Sequence, residues 1–183
     1  MRSVVLQMSV SLDGYVALPD GSGDWGLPDE HDAVTAWKLD AVNRVGTHVM
    51  GRVTYQAMAA YWPTSTLAYA PAMNDVPKVV FSRSLASADW PESHVARGDL
   101  ADEIDALRHR SGGDIMAHGG AAFVQALSRR RLIDEYHLVI RPVALGHGLP
   151  LFKDLAEPLP LSLLAATTYP DGTAIHVYRP TQK

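Results

Sequence analysis

The sequence predicts an α/β domain whose central sheet begins parallel and ends antiparallel. Short β-rich runs alternate with amphipathic helical runs over most of the chain, which is the pattern of parallel strands joined by helices. The last three β-rich runs follow one another without a helix between them, which is typical of antiparallel neighbours. A chain of 183 residues, 47% apolar and 20% charged, is expected to form one domain over residues 1–183.

The first quarter of the chain holds a strand, a long loop and a helix. Residues 4–10 (VVLQMSV) predict the first strand, and turn-forming residues over 13–28 predict the loop. Asp29 is expected to cap the first helix, because a carboxylate accepts hydrogen bonds from the free N–H groups at a helix start. The apolar face of this helix, at helical spacing, consists of Val34, Trp37 and Ala41.

The middle of the chain adds two strands and two helices. A short strand at 47–50 leads into a helix over 53–60, and residues 78–82 form a third strand. Residues 99–110 are the clearest helix, since acids occupy its start and bases its end, and Gly112 stops it.

The last third predicts one more helix and four more strands. Residues 114–117 form the fourth strand, and Gly119 follows it closely, before a helix that ends in residues 129–131. Those three arginines favour the helix C-terminus and are expected to be solvated. The late strands are 136–143, 161–168 and 174–178.

Composition excludes several classes of function. The chain has no cysteine, which rules out disulfides, a thiolate nucleophile and a cysteine zinc site. Its net charge is −4, with 16 basic and 20 acidic residues, so nucleic acid is not an expected partner. No apolar run is long enough to span a membrane and the N-terminus does not resemble a signal peptide, so we expect a cytoplasmic protein without a membrane partner. The eight histidines lack a metal-binding spacing, so no metal is expected, and His118 is interpreted as a strand-end residue satisfied by the backbone.

Three predicted strand ends carry residues that suit phosphate groups. Bare helix N-termini offer backbone N–H groups and a positive dipole end, and arginine adds a bidentate cation. Because parallel strands place their carboxyl ends at one edge of the sheet, these residues are expected to meet around a phosphorylated nucleotide. The candidates are Gly51, Arg52, Val53 and Thr54 after the second strand, Ser82 and Arg83 after the third, and Gly119, Gly120, Ala121 and Ala122 after the fourth.

Six motifs stand in order along most of the chain. They are SLDGYVA at 11–17, VMGRVTY at 49–55, VVFSR at 79–83, HGGAAFVQAL at 118–127, LIDEYHL at 132–138 and RPVALGHGLPLF at 141–152. Together they resemble the dihydrofolate reductase fold superfamily, and most of all the branch with the C-terminal reductase domain of the riboflavin-biosynthesis deaminase/reductase. The resemblance implies a three-layer fold with a mixed, mostly parallel central sheet, helices on both faces and an antiparallel C-terminal part.

The resemblance implies that the nucleotide is NADPH and that the chemistry is hydride transfer. It places the phosphates at residues 51–54 and the pyrophosphate at residues 119–122. It places the adenosine 2′-phosphate at Ser82 and Arg83. The cofactor carries the reduction, and the protein supplies orientation and a proton.

The resemblance also suggests catalytic and substrate-binding residues. Glu30 matches the acid of a Trp-x-Leu-Pro-x-acid segment that contacts the pterin in dihydrofolate reductases, and Trp25 opens that segment. Asp13, in SLDG, is the second catalytic candidate, and Glu135 matches an acid that recurs in the family. Each has a purely structural alternative, since Glu30 favours a helix start, Asp13 forms turns and Glu135 can pair locally.

The expected function is an NADPH-dependent reduction of a small planar heterocycle, like that of 5-amino-6-(5-phosphoribosylamino)uracil reductase. Two departures leave the substrate open: Lys78 is the one cation where folate enzymes hold the glutamate tail, and Gln7 stands near the position of a lysine in the riboflavin enzymes. The alternatives are dihydrofolate reduction and a nucleotide-binding module without turnover. The exposed late strands and the family's habit predict a homodimer.

Overall fold

The computed structural model describes residues 1–28 and 31–181, and ten strands and five helices are defined there. The strands are β1 Val4–Ser11, β2 Tyr15–Ala17, β3 Val45–Gly51, β4 Lys78–Phe81, β5 Ser93–Ala96, β6 Asp114–Ala117, β7 Glu135–Arg141, β8 Leu149–Pro150, β9 Leu161–Thr168 and β10 Ala174–Pro180. The helices are α1 Asp32–Val42, α2 Arg52–Tyr61, α3 Ala70–Asp75, α4 Leu100–Arg108 and α5 Ala121–Arg129, and a 3₁₀ turn covers Trp62–Thr64.

Eight of the strands form the central sheet, in the order β5-β4-β3-β6-β1-β7-β10-β9. β1 lies at its centre and pairs in parallel with both β6 and β7. β3, β4 and β5 extend the parallel part, whereas β10 pairs antiparallel with β7 and with β9. The predicted change from parallel to antiparallel pairing is therefore confirmed.

Helices cover both faces of the sheet. Val49 belongs to a buried cluster with Ile104 of α4 and Val124 of α5. The next residue, Met50, points to the other face and belongs to a cluster with α1 and α3. The alternation along β3 thus separates two apolar layers, which confirms the predicted arrangement of helices.

The structure also departs from the expected elements. α1 is capped by His31, whose Nδ1 accepts a hydrogen bond from the Ala33 N–H, while the expected cap, Asp29, lies outside the described residues. Four elements, β2, β5, β8 and α3, were not predicted from the sequence. These elements have two to six residues and no clear periodicity, so tertiary pairing determines them rather than local propensity. In the part of the chain that the structure describes, no helix has the length and apolar character needed to cross a membrane.

Candidate cofactor and substrate cleft

A cleft of about 740 Å³ opens at the carboxyl ends of the central parallel strands. The ends of β1, β3, β4 and β6 form its floor, and the loop after β2 contributes Gly21 and Gly23. The structure brings together nearly all the predicted phosphate-binding residues here. Those that line this cleft are Gly51, Arg52, Val53, Thr54, Ser82, Gly119, Gly120, Ala121 and Ala122.

Two helices begin side by side in this cleft. α2 is N-capped by Gly51 and α5 by Gly120, and glycine has no side chain with which to cap a helix. A Cβ on Gly120 would lie 3.6 Å from Thr54 Oγ1, and one on Gly51 would lie 3.3 Å from Phe123 Cβ. The free N–H groups and positive dipole ends of both helices therefore meet at one place, which suits a phosphate or pyrophosphate.

A smaller pocket of about 210 Å³ continues the cleft past β4. Arg83 lines this pocket rather than the main cleft, and Ser82 borders both. Arg97 and Arg130 also line it. Arg97 Nη2 donates a 2.7 Å hydrogen bond to the Leu85 carbonyl, which braces the loop that carries Arg83. Three guanidinium groups thus surround a pocket with one carboxylate, so the pocket attracts anions.

Arg97 was not predicted as a site residue, and the sequence did not indicate a partner for Arg130. Arg130 is exposed, as predicted for the end of its helix, and it also pairs with Asp99, the N-cap of α4, at 2.9 Å. The run of arginines at 129–131 was the feature of the sequence that marked this position as cationic. The position of α4 beside α5, which gives Arg130 this partner, is a tertiary feature.

A second compartment of about 660 Å³ adjoins the cleft on the α1 side. α1 contributes Asp32, Thr35 and Lys38, which recur every three residues along one helix face. Trp62 and Tyr69 supply aromatic surface. That periodicity was readable in the sequence, but nothing local showed which face of α1 borders a cleft. The residues shared with the main cleft are Gln7, Met8, Ser9, Met58 and His118.

A histidine pair lies at this shared boundary. His118 Nε2 is 2.8 Å from His48 Nδ1, and His48 Nε2 is 3.0 Å from the Ala72 carbonyl oxygen. Burial lowers the pKa of His48 to about 4, and burial together with the neighbouring His48 holds the pKa of His118 well below its usual value. The ring of His118 is therefore satisfied by another histidine, which corrects the expectation that the backbone would satisfy it.

Asp13 does not suit the role of proton donor that we expected. Its Oδ1 accepts hydrogen bonds from Ser11 Oγ at 2.7 Å and the Leu145 N–H at 3.0 Å, and its Oδ2 accepts one from the Gly146 N–H at 2.7 Å. These bonds, that of Ser11 foremost, lower the pKa of Asp13 to about 2. A carboxylate held ionised in this way joins two loops and has no proton to donate at neutral pH.

Glu135 lies at the end of the sheet opposite the cleft. It is the first residue of β7, and its Oε1 accepts a 2.6 Å hydrogen bond from Arg179 Nη2. Its Oε2 is 3.1 Å from His137 Nε2. Glu135 is at the start of β7, and the strand runs from there toward the cleft. The structure therefore gives Glu135 a local ion pair in place of the expected contact with substrate.

The other two candidates belong to the loop that precedes α1. Trp25 lines a side pocket of about 370 Å³ that shares Ser9 and Val16 with the main cleft, so it stays a candidate for substrate contact. The indole Nε1 of Trp25 is buried and has no hydrogen-bond partner among residues 1–28 and 31–181. Glu30 lies outside the described residues, so its predicted role stays a prediction.

Comparison with solved structures supports the predicted fold. A putative riboflavin biosynthesis protein from Shewanella sp. PV-4 superposes with a TM-score of 0.81 at 25% identity, with both chains covered completely. A deaminase/5-amino-6-(5-phosphoribosylamino)uracil reductase from Thermotoga maritima gives 0.69 at 16% identity, over 98% of this chain and 57% of that one. Dihydrofolate reductase from Enterococcus faecalis gives 0.64 at 14%, over 98% and 97%. The dihydrofolate-reductase-like fold is therefore confirmed.

Comparison of sequences identifies the family. Two Bacillus subtilis (strain 168) proteins of unknown function are similar over nearly their whole length: YyaP is 28% identical over 97% of this chain and 94% of its own. YwjB is 30% identical over 97% of this chain and 98% of its own. The profile of the RibD C-terminal domain matches residues 2–175. The chain belongs to the RibD C-terminal domain family.

Proposed function

We propose that this protein is an NADPH-dependent reductase that passes hydride to a small planar heterocycle. The observation that carries the proposal is the meeting of two glycine-capped helix N-termini in one cleft, with an arginine-lined pocket at one end and an aromatic compartment at the other. Membership of the RibD C-terminal domain family supports an oxidoreductase of the riboflavin-pathway type.

The cleft fits the parts of NADPH by charge. The N–H groups at the starts of α2 and α5 suit the pyrophosphate, and Arg83, Arg97 and Arg130 suit the 2′-phosphate. The continuous path from the arginine pocket through the main cleft ends at the boundary with the aromatic compartment. When bound, the cofactor supplies the hydride, and the chain holds and orients both reactants.

The second compartment suits a flat, polar ring. Trp62 and Tyr69 offer aromatic faces, and Asp32 and Lys38 offer charged groups that orient it. Asp32 is the carboxylate that the described residues bring to this compartment, so we assign it the role of orienting the substrate ring. The loop over residues 18–28 borders the cleft and excludes water when it closes.

Dihydrofolate is disfavoured as the substrate. Lys78 is fully buried, and its Nζ donates to the carbonyls of Met73, Asn74 and Val76 at 3.1, 2.7 and 2.9 Å. The same ammonium lies 4.5 Å from the Trp90 ring centroid. A cation with these partners is not available to the glutamate tail of a folate.

The test is NADPH oxidation measured against a pyrimidinone phosphoribosylamine, dihydrofolate and simple carbonyls. We expect turnover with the first compound and little with dihydrofolate. Asp32→Asn should lower turnover at unchanged NADPH affinity, with the exposed Asp89→Asn as the control, and Glu30→Gln tests the remaining candidate. Saturable NADPH binding without turnover of any compound would favour the nucleotide-binding module, and absence of binding would overturn both readings.

We also propose that two copies pair through β9. This strand is at the edge of the sheet and is almost fully exposed, and Leu163 and Leu164 are about half exposed. An exposed edge with apolar side chains offers unpaired backbone groups and apolar area to a partner strand. A second copy of this chain is the partner that the resemblance implies.

A further inference from the structure

One backbone carbonyl determines which ring nitrogens of the His48–His118 pair donate and which accept hydrogen bonds. The Ala72 carbonyl can only accept, so His48 Nε2, at 3.0 Å from it, carries the proton. Both rings are neutral at neutral pH because burial lowers the pKa of each. His48 Nδ1 is therefore an acceptor, and His118 Nε2, at 2.8 Å, donates to it. It follows that His118 Nδ1 carries no proton and acts only as an acceptor.

The carbonyl that sets this order belongs to a well-anchored helix. Lys78 Nζ holds the neighbouring carbonyls of Met73 and Asn74 in α3, and His48 itself is fully buried. Reversing the pair would leave the Ala72 carbonyl facing an unprotonated ring nitrogen, which is unfavourable for a buried group. α3 therefore fixes the tautomer of a ring that reaches the cleft.

Gln7 lies next to His118 on the adjoining strand. β1 and β6 pair with Leu6 opposite Ala117, and the His118 N–H continues the β3–β6 ladder by donating to the Val49 carbonyl at 2.9 Å. Both side chains line the boundary between the two compartments. Gln7 Nε2 is buried and has no partner among the residues that the structure describes. A fixed acceptor and an unsatisfied donor thus stand side by side.

We propose that His118 is a specificity-determining residue that accepts a hydrogen bond from a ring N–H of the substrate, while Gln7 donates to the adjacent ring carbonyl. The proposal rests on the proposed function for the identity of the compartment. It predicts discrimination against rings whose nitrogen is alkylated, because such a ring leaves His118 Nδ1 without a donor. His48 is a positioning residue, since it acts through His118.

The nicotinamide carboxamide also carries an N–H group, so the experiment separates substrate from cofactor. Calorimetry with protein saturated with NADP⁺ compares 5,6-diaminouracil with 5,6-diamino-1,3-dimethyluracil, which lacks ring N–H groups. The wild-type chain should prefer the former by about tenfold, the size of one satisfied buried hydrogen bond. His118→Phe should abolish that preference, and His118→Asn, which returns an acceptor near Nδ1, should restore part of it. The exposed His94→Phe serves as the matched control.

A second measurement needs no ligand. Nitrogen-15 NMR of the histidine rings should show His118 protonated at Nε2 and unprotonated at Nδ1 at neutral pH, and His48→Gln should disturb that pattern. The opposite tautomer would overturn the proposal, as would failure of diaminouracil to bind or an unchanged preference in His118→Phe. If His118→Phe lowers only the affinity for NADPH, the hydrogen bond of His118 is to the nicotinamide, and this result would also overturn the proposal. If the chain distinguishes the two diaminouracils and shows the expected tautomer but oxidises no NADPH, the proposed reductase function is wrong and the proposed ring-binding site still holds.

Discussion

Asp13 Oδ2 accepts a 2.7 Å hydrogen bond from the Gly146 N–H, although 133 residues separate the two in the chain. The same carboxylate accepts from Leu145, and the Leu151 N–H donates to the Gly14 carbonyl at 2.9 Å. These bonds join the turn after β1 to the segment around β8, and β8 pairs with β2 at the wall of the cleft. Asp13 therefore helps to hold the β2–β8 wall of the cleft in place.

Asp13→Asn should therefore lower stability at neutral pH, because an amide offers one acceptor oxygen where the carboxylate uses two. The pKa of Asp13 falls from 3.8 to about 2 on folding, so the stabilisation is complete above about pH 4 and is lost as the pH falls toward 2. Thermal unfolding across this range should show an acid-sensitive step that the variant lacks, with the exposed Asp89→Asn as control. An unchanged melting temperature with abolished turnover would instead return Asp13 to the catalytic role.

Arg83→Ala should weaken NADPH and spare NADH. Loss of one charge-assisted hydrogen bond to the 2′-phosphate costs about 1.5–3 kcal/mol, or about 10- to 150-fold in the dissociation constant. Fluorescence titration with both cofactors measures the ratio, and Arg129→Ala, exposed on the end of α5, is the matched control. An equal loss for both cofactors would contradict the assignment of Arg83.

Lys78→Met should destabilise the fold by about 1–3 kcal/mol, because three carbonyls around the end of α3 lose a charged donor. Burial lowers the pKa of Lys78 from 10.5 to about 8, so the unfolded chain binds more protons between these values. The wild-type advantage over the variant should consequently grow as the pH rises from about 8 to about 10. Urea unfolding at several pH values tests this, and a constant or shrinking difference would show that Lys78 is not desolvated.

Leu163→Glu combined with Leu164→Glu should convert the proposed dimer to a monomer. Carboxylates at an edge strand resist pairing, since both copies would bring them to the same interface. Light scattering after gel filtration gives the mass of each form. Leu12→Glu, at a leucine that is 73% exposed outside β9, should leave the mass unchanged. A wild-type monomer, or a double variant that remains dimeric, would contradict pairing through β9.

The proposed phosphate-binding residues were predictable from local sequence because they need only a position at a strand end. Gly51 ends β3, and Ser82 and Gly120 lie one and three residues after the ends of β4 and β6. Parallel pairing brings these carboxyl ends to one edge of the sheet. The motifs in order then indicated the fold and the cofactor. No long-range information was needed for this part of the site.

Tertiary structure decided the partners of the charged and polar groups. Asp13 and Glu135 were recognised as acids worth attention, but Gly146 and Arg179, which hold them, lie 133 and 44 residues away. The His48–His118 contact likewise joins residues 70 positions apart, across neighbouring strands β3 and β6. Sequence by itself determined which residue types stand at the ends of the strands, since that depends on local periodicity and turn chemistry. The tertiary structure decides which of these residues are charged, which are neutral and which are paired with a neighbour, because that depends on distances of a few ångströms that only the packed sheet establishes.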